Sequence, residues 1–200
     1  MAISFTTSIA DTAEKALQRA MFILGSFQRG SDEIEWLDME LPVDLGKTER
    51  FDLIGRSKKA KRFVLCEVKF CRRTTHSDNP QYAANEAVKY YKHIKENYTT
   101  YRDNHHSVPN PDGFVGKVFD WDLVAHNNTE LIVVANAAYW AYWLGHMKVP
   151  VPLFGECEGF RKRVICFSVD VPGDYFDRLK DGRKVYIPTV DSLAPIVLKA

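Results

Sequence analysis

The spacing of apolar residues changes period along the first half of the chain. Ala13, Leu17, Ala20, Met21 and Leu24 recur three and four apart, which places them on one face of a helix. This predicts a helix over 8–26, with Ser8 or Asp11 as its cap and Gly25 as its stop. Ile34, Trp36, Leu41 and Val43 then give an imperfect alternation, which predicts a strand over 34–45. Two more strands are predicted over 50–56 and 62–70, joined by the charged turn Ser57–Lys61. The helical period returns over 80–98, where Ala84, Ala87, Val88, Tyr91 and Tyr98 mark a buried stripe.

Residues 99–128 are rich in Asn, Asp, His and Pro. That run is too long for a simple connection and predicts a functional or mobile insertion. Leu131-Ile132-Val133-Val134 opens the pattern of a buried central strand over 131–143. A further strand is predicted over 163–170, then a short helical stretch near Asp174–Leu179 and an extended tail. The order is helix, three strands, helix, strand, strand. Three consecutive strands read as an antiparallel meander, and a crossover helix then returns a strand parallel to one of them. The expectation is one α/β domain over 1–200, with its core at about 8–170 and a C-terminal extension over 171–200.

Two hundred residues can bury a substantial core without staples. The net charge of +1 excludes a generally cationic nucleic-acid coat, so any polyanion must be met by a local patch. Cys66, Cys71, Cys157 and Cys166 form no CxxC pair and keep no zinc-finger spacing with histidine. They read as reduced thiols, which fits a cytoplasmic chain. The start shows no signal-peptide pattern, and no apolar run approaches the ~20 residues that span a bilayer. No membrane partner is expected.

The segment richest in chemistry is Arg50-Phe51-Asp52-Leu53-Ile54-Gly55, followed by Phe63-Val64-Leu65-Cys66-Glu67-Val68-Lys69-Phe70. On a strand, Leu65, Glu67 and Lys69 share one face, while Val64, Cys66, Val68 and Phe70 share the other. Two opposite charges thus stand in a setting that otherwise reads as buried, where charge is costly unless paired or bound to metal. If the two strands form a hairpin, Asp52 approaches Glu67 and Lys69. Neighbouring carboxylates raise each other's pKa. A divalent cation relieves this, and oxygen-only ligands favour Mg²⁺ or Mn²⁺ over zinc.

Asp52, fourteen intervening residues, then Glu67-Val68-Lys69 resembles the signature of the PD-(D/E)xK nuclease superfamily. Phe51 stands where that signature has its leading proline. The flanking elements resemble it too, over roughly 8–143 with an extension through 163–170. Glu14, with Leu17, Leu24 and Gly25, resembles the acid-bearing first helix of the Holliday-junction-resolvase branch. Some branches carry Gln-x-x-x-Tyr on the second helix; the nearest matches are Glu86 with Tyr90 or Gln81 with Asn85, and neither is faithful.

The resemblance implies a restriction-endonuclease-like αβββαβ core with a mixed central sheet flanked by helices. It implies that Asp52, Glu67 and the Val68 carbonyl hold Mg²⁺ or Mn²⁺, with Glu14 as a candidate further ligand. Lys69 would orient the attacking water or stabilise charge on phosphorus. The implied activity is metal-dependent phosphodiester hydrolysis, foremost as a DNA endonuclease, and a homodimer is compatible with it. Arg56, Lys58, Lys59, Lys61, Arg62, Lys69, Arg72 and Arg73 crowd one stretch against a single acid, Glu67. They predict a basic rim beside the site for phosphate contacts, extended by Lys89, Lys92 and Lys95.

Plainer readings stand beside these. Glu-x-Lys on a strand also fits a solvated ion pair worth at most ~1 kcal/mol. Glu14 also fits a first-turn acid facing the helix dipole, and Glu40 is more readily a strand residue than a ligand. His76, His105 and His106 fall in polar loops. Tyr139, Trp140, Tyr142 and Trp143 can stack on bases but more often build a core. Two other functions therefore stay open: a nuclease-like fold that binds nucleic acid or protein without cleaving, and an unrelated α/β domain with a structural ion pair.

Overall fold

The computed structural model describes residues 2–4, 13–43, 49–72, 75–76, 78–104, 120–146, 152–171, 184–186 and 194–195. In chain order the elements are β1 (Ala2–Ser4), α1 (Ala13–Leu24), β2 (Ser26–Arg29), β3 (Asp32–Pro42), β4 (Arg50–Ser57) and β5 (Arg62–Lys69). Then come β6 (Cys71–Arg72), β7 (Thr75–His76), α2 (Pro80–Glu96), α3 (Tyr98–Asn104), α4 (Asp122–Ala125) and β8 (Thr129–Asn136). The last are α5 (Ala137–His146), β9 (Phe154–Cys157), β10 (Phe160–Val169), β11 (Lys184–Tyr186) and β12 (Ala194–Pro195).

One mixed sheet runs β12-β10-β8-β5-β4-β3-β2, with β9 paired on β10. The expected meander is present: β3, β4 and β5 pair antiparallel. The crossover through α2 returns β8 parallel to β5, with Leu65 opposite Leu131 and Lys69 opposite Ala135. Asn79 starts α2 by accepting the Tyr82 N–H on its side chain, and Pro80 fills the first turn, where a missing N–H costs nothing.

The alternation of β5 divides the core. Val64, Cys66, Val68 and Phe70 pack with Leu17 and Met21 of α1 on one face of the sheet. Leu65 packs with Ala84, Ala87, Val88 and Tyr91 of α2 on the other. Each helix therefore covers one face. Full burial of side chains such as Leu17 and Tyr91 contributes on the order of 2 kcal/mol each. β9 lies so close to α2 that a Cβ on Gly155 would fall 2.0 Å from the Ala84 carbonyl oxygen, so only glycine fits there.

Several boundaries differ from the sequence expectation, each for a local reason. Gly25, at φ +77°, ends α1 as expected, but residues 8–12, with Ser8 and Asp11, lie outside the described residues. β3 begins at Asp32 and folds back from β2, a short outer strand too brief to show a period. The apolar run over 131–143 does not stay extended. It leaves β8 at Asn136, whose Oδ1 accepts the Cys71 N–H at 2.9 Å and the Tyr139 N–H at 3.3 Å. Asn136 closes the strand and caps α5, a switch that apolar content alone does not signal. The expected 99–128 insertion contains α3 and α4, while 105–119, with His105 and His106, fall outside the described residues. The helical stretch at 174–179 also falls outside them. No described helix is long and apolar enough to cross a membrane.

Candidate functional site

The β4–β5 ladder is paired up to Leu53 opposite Cys66. One residue further, the Asp52 side chain takes over: its Oδ2 accepts the Val68 N–H at 2.7 Å. This fixes Asp52 beside Glu67, as the hairpin reading required. Glu67 is 3% exposed; among the described residues its Oε1 meets no N–H or O–H donor, and its carboxyl faces that of Asp52 within hydrogen-bonding reach. Lys69, on the same face of β5, is 6% exposed. Its Nζ lies 3.4 Å from Glu86 Oε2, 3.8 Å from Glu67 Oε2 and 3.9 Å from Glu14 Oε1. Acids from α1, β5 and α2 thus converge on one lysine at the carboxyl end of β5.

Burial drives the proton affinities. Desolvation, reinforced by Glu14 and opposed by Lys69, pushes the Asp52 carboxyl up to about 7. Glu67 is held well above the usual carboxylate range, first by burial and then by the charge of Asp52. Burial alone would lower the Lys69 ammonium, but Glu67, Glu14, Asp52 and Glu86 outweigh it, and its pKa is raised. Lysine therefore stays charged while the carboxylate pair resists full ionisation.

Two further side chains complete the arrangement. Gln18 is one turn after Glu14 on α1 and 1% exposed; its Nε2 donates to Glu40 Oε1 at 2.8 Å and to the Asp52 carbonyl at 2.7 Å. Glu40, at φ +57°, also meets Lys15 Nζ at 3.6 Å. It sits at the edge of the site, held by protein donors. On α2, the Tyr90 hydroxyl donates to Glu86 Oε1 at 2.8 Å. The other imperfect pair, Gln81 and Asn85, bond each other at 2.9 Å. They fasten β9 through the Phe154 carbonyl and the Glu156 N–H, away from Lys69.

The structure brings together Asp52, Glu67, Val68, Lys69 and Glu14. It does not bring the hairpin cations to them. Arg56, Lys58, Lys59, Lys61 and Arg62 lie at the turn of the β4–β5 hairpin, whereas the acids lie at its open end. Five residues of strand from Arg62 to Glu67 put the two ends ~16 Å apart. Most of these cations also meet acids or a hydroxyl across the sheet: Arg56 with Glu35 and Lys58 with Glu33 at 2.9 Å, Lys59 with Ser31 at 2.9 Å, and Arg62 with Glu130 at 3.9 Å. The basic rim beside the site is corrected accordingly for these five residues: density along the chain is not density in space. Lys89 meets Glu49 at 2.7 Å and Lys92 meets Glu96 and Glu158. Lys95 lies 5.6 Å over the Phe160 ring. Arg73 and the Arg72 and His76 side chains lie outside the described residues.

Sequence reasoning missed Gln18 and left Glu86 and Tyr90 unassigned. Gln18 carries a signal, as a polar residue beside Leu17 and Met21 in a buried stripe. Glu86 carries a similar one between Ala83 and Ala87. Tyr139 and Trp140 are buried core, as expected, with the Trp140 Nε1 donating to the Phe167 carbonyl at 3.0 Å. Among the described residues, no three His, Cys, Asp or Glu side chains form a ready metal-holding group; the site offers a carboxylate pair and a lysine. No protein-family model, curated protein or solved structure matches the chain.

Proposed function

We propose that this chain is a metal-dependent nuclease with a restriction-endonuclease-like core, hydrolysing phosphodiester bonds in nucleic acid, foremost DNA. The observation that carries the reading is the buried pair itself: the Glu67 carboxyl faces that of Asp52 within hydrogen-bonding reach, and among the described residues its Oε1 meets no N–H or O–H donor. Buried polar atoms are rarely left unpaired. Two adjacent carboxyls that resist ionising together are a site where a divalent cation would stabilise the doubly ionised state.

The residues fit such an ion. Mg²⁺ keeps several waters and is commonly held by one or two carboxylates, so a pair suffices. Asp52 and Glu67 would hold it with the Val68 carbonyl, and Glu14 is the next acid at hand. When bound, the cation would lower the pKa of a coordinated water and shield a phosphate oxygen. Lys69 does the rest of the electrostatic work: its ammonium, kept charged by four acids, stands where it can neutralise developing phosphate charge or orient a water. Gln18, anchored on the Asp52 carbonyl, keeps α1 and β4 in register with each other.

The same residues also fit a non-cleaving module in which Lys69 neutralises a buried acidic cluster. That reading explains the lysine, and a proton shared with Asp52 would satisfy the Glu67 carboxyl without metal, so uptake of a cation separates the two. The deciding experiment is cleavage of duplex, single-stranded and branched DNA, and of RNA, with Mg²⁺ or Mn²⁺. Asp52→Asn, Glu67→Gln and Lys69→Met are each expected to lower the rate by at least ~100-fold. Undiminished metal-dependent cleavage in Lys69→Met would remove the proposed mechanism.

A further inference from the structure

The three acids around Lys69 Nζ come from three elements, and none closes to the ~2.8 Å of a charge-assisted hydrogen bond. Glu86 is nearest, at 3.4 Å, and is the one within hydrogen-bonding reach. Its other oxygen is held by the Tyr90 hydroxyl. Tyr90 is buried and packs edge-on against Phe51, with ring centroids 5.4 Å apart at 82°. Phe51 directly precedes Asp52. The carboxylate that pulls Lys69 towards α2 is therefore tied, through one phenol and one ring contact, to the strand that carries the first acid of the pair. Across from it, Glu67 Oε2 pulls from 3.8 Å and Glu14 Oε1 from 3.9 Å. Asp52 of β4 and the Tyr139 phenol of α5 also face Lys69, and Lys89, paired with Glu49, stands 5.5 Å over the Tyr90 ring and within the field of Glu86.

We propose that Glu86, locked by Tyr90, is a counter-anchor for Lys69: it keeps the Lys69–Glu67 ion pair loose, at 3.8 Å, so the Asp52–Glu67 pair stays open to a divalent cation instead of closing into a hydrogen-bonded salt bridge. The inference rests on the reading of that pair as a cation site. Without the anchor, Glu67 becomes the strongest acceptor left near Nζ. Lysine and cation would then compete for the same oxygens. Glu86 acts here as a positioning residue, since both its oxygens are spent on Lys69 and Tyr90. An amide at 86 could not oppose Glu67 in this way, because it carries no charge.

The test is calorimetric titration of Mn²⁺ into the full chain, with no nucleic acid present. Tyr90→Phe removes the hydroxyl and changes no charge. It is expected to weaken Mn²⁺ binding several-fold, and Glu86→Gln by ~10-fold, in the range seen for residues behind metal ligands. In a Lys69→Met background Tyr90→Phe is expected to have no effect, because no ammonium remains to be held. Equal losses from Tyr90→Phe with and without Lys69 would overturn the proposal, as would wild-type affinity in both single variants. A second readout needs no metal: the ¹⁵N signal of the Lys69 ammonium, identified by its loss in Lys69→Met, is expected to shift in Glu86→Gln, and an unmoved signal would overturn the anchor. A wild-type chain that takes up no Mn²⁺ removes the cation-site reading and the purpose of the anchor together. Mn²⁺ binding indifferent to both α2 variants removes the anchor alone.

Discussion

Asp52 and Val68 are joined by a 2.7 Å hydrogen bond from the Val68 N–H to the Asp52 carboxylate, at the point where the β4–β5 ladder ends. That bond places one acid beside the next while using only one of its oxygens. Asp52 is therefore both a strand terminator and a candidate ligand, and the roles separate by substitution. Asp52→Asn keeps an acceptor for Val68; Asp52→Ala does not. Thermal melting with and without millimolar Mn²⁺ is expected to show a metal-dependent rise in the wild type that is abolished in both variants, because a ion bound only by the folded state stabilises it. Without metal, Asp52→Ala is expected to melt lower than Asp52→Asn, since it orphans a backbone donor at a cost of about 1–3 kcal/mol.

Stability without metal should fall as pH rises through the neutral range. The Asp52 carboxyl, at 3.8 when unfolded, is pushed up to about 7 by burial in the folded chain. A group raised in this way contributes its stability below the unfolded value and loses it as pH climbs through the folded one. Glu67 is raised in the same direction. Asp32, lowered by Ser57, the Lys59 N–H and Arg29 against its own burial, acts the other way, but its contribution is lost only below the ordinary carboxylate range. Melting in chelator from pH 5 to 8 is expected to show a steady decline that is shallower in Asp52→Asn, where the buried Glu67 alone remains. A flat wild-type profile would contradict the buried-pair electrostatics.

Much of this was legible in the sequence. The two faces of β5 followed from alternation alone, and the parallel return of β8 from the order of elements. Asp52, Glu67 and Lys69 share the expected corner because a hairpin brings them there. What failed was judged by proximity along the chain. Arg56, Lys58, Lys59, Lys61 and Arg62 are sequence neighbours of the acids but occupy the opposite end of the hairpin, where Arg56, Lys58 and Arg62 meet Glu35, Glu33 and Glu130. Glu86 and Tyr90 show the reverse case. Their likeness to a motif was imperfect, yet helical spacing puts both on the face that meets Lys69. Tyr139 and Trp140 lay inside a predicted strand because burial, not helical period, dominates their segment.

Displacement of the hairpin cations from the acids has a consequence for binding. If duplex contacts depended on the turn, neutralising Lys58, Lys59 and Lys61 would weaken nucleic-acid binding and reduce its salt dependence. The turn lies ~16 Å along the strand from Glu67, and Arg56, Lys58 and Arg62 there already meet Glu35, Glu33 and Glu130. Lys58→Ala with Lys61→Ala is therefore expected to change the apparent affinity for a short oligonucleotide less than threefold at 150 mM salt. Filter binding at two salt concentrations checks this, and a drop in the salt slope of about two would restore the turn to the interface.

The close seat of β9 on α2 gives a prediction that no site chemistry can obscure. Gly155 sits against the Ala84 carbonyl and Val88, where an added Cβ would stand 2.0 Å from backbone oxygen and 2.6 Å from a Val88 methyl. The oxygen is backbone, so no rotamer change relieves the clash; β9 or α2 must move. Gly155→Ala is expected to cost about 1–3 kcal/mol, lowering Tm by several degrees. Because α2 also carries Glu86, a shift of the helix should reach the lysine: the Lys69 ammonium signal is expected to move in Gly155→Ala even though the two residues do not touch. The comparison variant is Gly145→Ala on α5, where an added Cβ meets nothing within 4 Å. It should leave the ammonium signal in place and raise stability slightly, since alanine favours the helix over glycine by up to ~1 kcal/mol. If Gly155→Ala lowers Tm without moving the ammonium, β9 gives way and α2 stays in place, so the Glu86–Tyr90 segment, with Val88 inside it, is held by the sheet and not by the β9 contact.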